Sequence, residues 1–353
     1  MVDIGGATDD GYAVGDPALT TFIFVAAFCV VAVLVYMARY SGRVRVEQTR
    51  LIDAPLDVVY ARVVDLGQWQ QWNPWMEPGK GAALTLSDRT DQRGSTCIWT
   101  SETMGSGMVE HVRVVASQRI EQRLRLKHPF TVSGRSFWTF SVRSGKTEVT
   151  WNVRGRVAFS MRAFSSTVKS SLALDCRYGL DQLASLTEPD SAPRYSIAHL
   201  GVRDIAAQRY VYSSYQGPIS GLSQAMASAL TELRQVLTAH GLEAAGMPMA
   251  IYFKTNIKLR TTVCHIGIPI DGALASADLP VRELAAHRAY VVRLQGSPQA
   301  LEIAWYLAMQ RMVADKIQPD QRIPPCECYL VSDGGRVGND SVTELHLPVL
   351  PPR

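Results

Sequence analysis

Arg203-Asp204-Ile205-Ala206-Ala207-Gln208-Arg209-Tyr210-Val211 returns later in the chain as Arg282-Glu283-Leu284-Ala285-Ala286-His287-Arg288-Ala289-Tyr290. The match extends beyond these runs. Gln216-Gly217-Pro218 corresponds to Gln295-Gly296-Ser297, and each triplet leads into a helical stretch, Leu222 to His240 and Ala300 to Ile317. Each helix is followed by a proline and a short aromatic strand: Pro248-Met249-Ala250-Ile251-Tyr252 and Pro325-Cys326-Glu327-Cys328-Tyr329. Both copies close on an apolar-proline-apolar triplet, Ile268-Pro269-Ile270 and Leu347-Pro348-Val349. A constant period, here about 77 to 79 residues, marks a repeated supersecondary unit. Each unit reads as strand-helix-strand-strand, over about 200–271 and 279–350. Two such units pair by pseudo-two-fold symmetry and leave a groove between their helices and sheets.

One pair of matched positions differs in kind. Ala250 stands in the first copy where Glu327 stands in the second. A strand has no need of a carboxylate, and burying one costs several kcal/mol unless it is partnered. Glu327 therefore reads as a pocket-floor carboxylate for a cationic or hydrogen-bonding ligand group; the alternative is a strand residue facing water. Trp305 lies on the second copy's helix where Met226 lies on the first, and plain core is one reading of it. Tyr252 and Tyr329 complete the expected rim.

The duplication resembles the GyrI-like small-molecule-binding domain, also found as the effector domain of MerR- and AraC-type regulators, over roughly residues 195–351. The resemblance implies a pocket in which a glutamate is followed two residues later by an aromatic, matched here by Glu327 and Tyr329, with an aromatic lining position at Trp305. Some relatives look like hydrolases, which leaves an alternative in which Glu327 is a general base acting on an electrophilic small molecule. No helix-turn-helix candidate precedes this domain. Direct contact with nucleic acid is not expected, and the net charge of +4 gives no contrary sign.

The first half opens with an alternating strand from Val44 to Ile52. Asp53-Ala54-Pro55 then starts a helix, with proline in its first turn. Trp69-Gln70-Gln71-Trp72-Asn73-Pro74-Trp75 places three indoles around a turn. Strand-like segments follow near 95–101, 108–127, 134–143 and 147–159, with Gly105-Ser106-Gly107 and Ser144-Gly145-Lys146 as turns. Phe164 to Leu186 reads as a long helix whose apolar stripe is Val168, Leu172, Cys176, Leu180 and Leu183. This order of motifs, together with Thr147-Glu148-Val149-Thr150-Trp151 and Gly179-Leu180-Asp181-Gln182-Leu183, resembles the START-like polyketide cyclase and dehydrase (SRPBCC) family over about 44–188. The resemblance implies an α+β helix-grip fold, an antiparallel sheet around a long C-terminal helix with an apolar cavity between them. It also implies that some members act as cyclases. Trp138, Phe140 and Val142 share one strand face, and Val149, Trp151 and Val153 another. Trp138, Phe140 and Trp151 are the ligand candidates there, with plain core as the competing reading.

Ala18 to Met37 is apolar and uncharged. At about 1.5 Å per residue it spans roughly 30 Å, one hydrocarbon core. Residues 1–17 carry Asp3, Asp9, Asp10 and Asp16 and no Lys or Arg, whereas Arg39, Arg43, Arg45 and Arg50 follow the apolar run. A signal peptide needs the opposite polarity and a shorter core. The positive-inside rule places 1–17 outside, 18–38 as a single pass through the inner membrane of a bacterial cell, and the rest in the cytoplasm. A polar, proline-containing linker at 189–194 separates the two soluble domains. The basic face Arg119, Arg123, Arg125 and Lys127 reads as solvated, with anionic headgroups as a further contact.

No Walker loop, dinucleotide fingerprint, HExxH or GxSxG motif occurs, and no cofactor is expected. The six cysteines are read as reduced thiols. Cys326 and Cys328 lie on one strand, without a visible further ligand; the histidines are dispersed, and no metal site is expected. The two function classes that remain are a binding protein, which senses or sequesters hydrophobic or cationic small molecules beside a membrane, and the hydrolase or cyclase alternative. A protein partner is left open.

Overall fold

The structure, a computed structural model, describes residues 17–76, 83–101, 105–127, 130–188, 195–257, 259–271, 279–331 and 341–351. The acidic N-terminal stretch, the linker and the glycine-rich loop at 333–340 lie outside the described residues.

The fold is α+β, with two antiparallel sheets and one apolar N-terminal helix. Helix α1 (Pro17–Ala38) is apolar and is exposed from Thr21 to Tyr36, with Phe22 and Phe28 at 70% and 73%. Its described contacts with the rest of the chain include the 3₁₀ segment Phe159–Phe164, and an apolar helix left this exposed is not the amphipathic kind that covers a water-soluble core.

Strand β1 (Arg43–Ile52) follows, with Val44, Val46 and Ile52 buried and Arg45 and Glu47 facing out. Helix α2 (Leu56–Val64) then leads into two 3₁₀ turns, Leu66–Gln71 and Pro74–Met76, which turn Trp69, Trp72 and Trp75 inward. Six strands form a meander: β2 (Ala83–Leu86), β3 (Thr96–Ser101), β4 (Gly105–Val115), β5 (Arg119–Leu126), β6 (Val132–Arg143) and β7 (Lys146–Val157). Strand β1 closes on β7, giving the order β1-β7-β6-β5-β4-β3-β2.

Three readings of the sequence change here. The strand expected over 108–127 is two strands, split by a turn in which Ser117 takes a positive φ of 56°. Gly105-Ser106-Gly107, read as a turn, is the start of β4. Gly107 is needed there because the Trp99 ring lies over it: a Cβ would sit 2.3 Å from Trp99 Cζ2. Val142, read as inward-facing, is 66% exposed at the end of β6.

Helix α3 (Ser165–Thr187) lies across β1 and buries all five residues of its expected stripe, Val168, Leu172, Cys176, Leu180 and Leu183, in the core of the first sheet. Its other flank matters as much. Leu174 and Tyr178 pack against the core of the second domain, so one helix serves both.

The second domain runs β8 (Tyr195–Ile205), β9 (Gln208–Pro218), α4 (Leu222–Ala239), β10 (Met249–Asn256), β11 (Thr261–Ile270), then β12 (Val281–Leu284), β13 (His287–Gly296), α5 (Leu301–Ala314), β14 (Cys326–Val331) and β15 (Val342–Pro348). Each half has one more strand at its front than the strand-helix-strand-strand reading. The sheet order is β12-β9-β11-β10-β14-β15-β13-β8. It is unchanged when the halves are exchanged and the order reversed. The leading strand of each half pairs with the second strand of the other: β8 with β13, and β12 with β9. The halves meet at β10 and β14, which pair antiparallel.

Candidate functional site

At that central pair Ala250 lies directly opposite Glu327, with Met249 opposite Cys328 and Ile251 opposite Cys326. Ala250 and Glu327 are the equivalent positions of the two copies, so the pseudo-two-fold axis passes between them. This accounts for the asymmetry in the sequence. Directly opposed side chains on antiparallel strands stand about 4.5–5.5 Å apart, and like charges there repel. Two glutamates on the axis would face each other; one glutamate and one methyl group leave room for a single carboxylate.

Glu327 is 5% exposed. Trp305 Nε1 donates to its Oε1 at 2.6 Å, and the Tyr329 hydroxyl donates to its Oε2 at 2.6 Å. Tyr252 adds a third side-chain hydrogen bond. Burial pushes the Glu327 carboxyl above the usual carboxylate range, against the pull of these donors. Among the described residues its hydrogen-bond partners are neutral, and none of them supplies a countercharge.

The supports repeat the crosswise symmetry. Tyr252 and Tyr329 follow Ala250 and Glu327 by two residues and so share their face of the sheet. On the helices above, Trp305 meets the Tyr252 ring edge to face at 6.1 Å and 87°, while Met226 Sδ lies 3.5 Å from the Tyr329 hydroxyl. Each helix thus covers the aromatic of the opposite half. The four residues singled out for this domain, Glu327, Trp305, Tyr329 and Tyr252, come together in one cluster.

Trp138, Phe140 and Trp151 are placed in the first domain's packed core. Trp138 and Trp151 are fully buried, stacked at 4.2 Å and 22°, and Phe140 is 7% exposed. The indole of Trp138 donates to Gln122 Oε1 at 3.0 Å and that of Trp151 to Ser136 Oγ at 2.9 Å. Trp69 and Trp72 donate to the carbonyls of Val63 and Arg62. With ring and N–H both engaged, these indoles fill space within the domain.

Two polar clusters were missed in the sequence. Asp175, on the core side of α3, accepts from Trp75 Nε1 at 3.1 Å and from the Tyr306 hydroxyl of α5 at 2.8 Å. Burial raises its pKa to about 6. Asp181, two turns on, pairs with Arg50 of β1 and accepts from the Tyr195 hydroxyl at 2.9 Å. Arg50, Asp181 and Tyr195 line a cleft of about 660 Å³ that also reaches Arg177, Ser297 and Gln299. The cleft lies between the domains and does not include Glu327. The available signal was an aspartate on the apolar face of a helix, one turn after Leu172.

The sequence of residues 43–188 matches the family model described as polyketide cyclase / dehydrase and lipid transport. No curated protein matches the chain. Similar solved structures include protein CV1439 from Chromobacterium violaceum, 17% identical, covering 41% of this chain and 98% of that one with a TM-score of 0.33. The EcmrR C-terminal domain is 16% identical, with coverages of 44% and 98% and a TM-score of 0.36. SAV2435, solved bound to tetraphenylphosphonium, is 16% identical, with coverages of 42% and 92% and a TM-score of 0.33.

Proposed function

We propose that this chain is a membrane-anchored binding protein whose second domain, a duplicated GyrI-like unit, takes up hydrophobic cations at Glu327. The observation that carries the reading is the buried carboxylate on the axis, held by Trp305, Tyr329 and Tyr252 and, among the described residues, by no cationic side chain. An acid buried among aromatic rings attracts a ligand that brings positive charge and apolar surface together, because the ring faces add to the carboxylate's pull. Entry requires Trp305, which is part-exposed, to move off Glu327. Both carboxylate oxygens already accept hydrogen bonds, an arrangement suited to recognising charge rather than to activating water. The first domain has the helix-grip arrangement, with α3 across the meander, and joins the second through that helix. Helix α1 anchors both at the cytoplasmic face of the inner membrane, and the ligand is sensed or sequestered there.

The test compares a lipophilic cation with a neutral compound of the same shape, each titrated into the full-length chain in detergent. The wild type should prefer the cation, and Glu327→Gln should erase the preference while the far-ultraviolet spectrum stays the same. Equal affinity of the wild type for both compounds would show that shape alone is read, and would overturn the assignment.

A further inference from the structure

Strand β14 carries different chemistry on its two faces. Glu327 and Tyr329 point toward the helices, so Cys326 and Cys328 project from the opposite face. Their sulfur atoms lie 4.0 Å apart. Both thiols are free, and the separation is twice the roughly 2.0 Å of a disulfide. Neighbouring β15 places His346 opposite Cys326 in register. His346 Nδ1 lies 3.9 Å from Cys328 Sγ, and the three ligand atoms all fall within 4.8 Å of one another.

We infer that Cys326, Cys328 and His346 form a binding site for a thiophilic divalent cation of the zinc type. A tetrahedral zinc with bonds of about 2.3 Å to sulfur and about 2.0 Å to nitrogen holds its ligand atoms roughly 3.5–3.8 Å apart. The observed 4.0 and 3.9 Å separations need a few tenths of an ångström of closure, and the third pair, within 4.8 Å, up to about 1 Å, within reach of side-chain rotation. Two thiolates and an imidazole are the donor set such a cation selects over magnesium or calcium. The outer shell is present as well. His346 Nε2, on the far side of the ring, lies 3.3 Å from Glu344 Oε2, and Glu344 is held in turn by Arg293 at 2.6 Å. A carboxylate behind a ligating histidine fixes the ring's tautomer and orientation. Cys326 is buried, while Cys328 and His346 are part-exposed, so solvent reaches the site from one side. Three protein ligands leave the fourth position to water or an anion. The metal takes both sulfurs as thiolates, any remaining thiol proton goes to solvent, and no electron is transferred. Seen along the chain this is only Cys-Glu-Cys; the third ligand comes from another strand.

Cobalt(II) added to the reduced, full-length chain in detergent should give a thiolate-to-cobalt charge-transfer band that one equivalent of zinc abolishes. Cys328→Ser and His346→Gln should lose the band, Cys29→Ser should keep it, and Glu344→Gln should weaken zinc affinity by about 10–100-fold. A measurement on the wild type alone guards against variants that fail to fold. Zinc should protect Cys326 and Cys328, and not Cys29, from alkylation mapped by mass spectrometry. Absence of the band in the wild type, its survival in Cys328→Ser, or alkylation of both cysteines at the same rate with and without zinc would each overturn the assignment.

Discussion

Trp305 and Tyr306 are consecutive on α5 and direct their polar tips at different carboxylates. Trp305 donates to Glu327 at 2.6 Å within the second domain, and Tyr306 donates to Asp175 at 2.8 Å on α3. Successive helical residues point about 100° apart, so one helix can face two clusters at once. Asp175 reaches on to Trp75 of the first domain's core at 3.1 Å. A single turn of α5 therefore holds both the cover of the buried carboxylate and the hydrogen-bonded junction between domains.

Tyr306→Phe keeps the ring and removes the donor to Asp175. It leaves one carboxylate oxygen without that partner in a site that is 7% exposed. The expected cost is about 1–3 kcal/mol, the price of an unsatisfied buried acceptor. Urea denaturation of the full-length chain in detergent measures it; an unchanged midpoint would show that water replaces the hydroxyl.

Asp175 also sets a pH dependence. Burial raises its pKa to about 6, against the opposing hydrogen bonds from Tyr306 and Trp75. The folded protein therefore holds the proton more tightly than the unfolded chain. The stability this contributes is full below the ordinary carboxylate pKa of about 4 and is lost as pH rises through about 6. Moving from pH 7 to pH 5 should stabilise the wild type by about 1 kcal/mol relative to Asp175→Asn. Parallel pH profiles for the two proteins would remove Asp175 as the source.

Trp151→Ala tests whether the first domain's tryptophans are core. Trp151 is fully buried and meets Trp72, Trp75 and Trp138. The expected loss is about 3–5 kcal/mol, with little relaxation to fill the space. Thermal unfolding reads this directly. A much smaller loss together with reduced binding of apolar dyes would instead mark Trp151 as the wall of an open cavity.

The topology reading is tested on intact cells. Protease added outside should leave residues 40–353 uncut if, as proposed, the arginines following α1 lie on the cytoplasmic side. Cleavage of the large domains without lysis would reverse the assignment.

Local chemistry was enough for part of this protein. The alternation in β1, the stripe of α3 and the apolar length of α1 follow from residues a few positions apart, since side-chain direction in a strand or helix is set by the local backbone repeat. The repeat exposed Ala250 and Glu327 as the unequal pair, and the four aromatic and acidic candidates of that domain do converge. What stayed hidden was each long-range partner. A period of two tells which face a residue occupies, but register between strands decides what it faces. Only the paired β10 and β14 set Ala250 against Glu327, and only β15 beside β14 brings His346 to Cys326 and Cys328. The exchange of β8 and β12 between the halves, and the rotation of α3 that joins Asp175 to Tyr306, likewise depend on how separate elements pack. Such contacts are made across sheets and helix faces by residues far apart in the chain, and no local repeat records them.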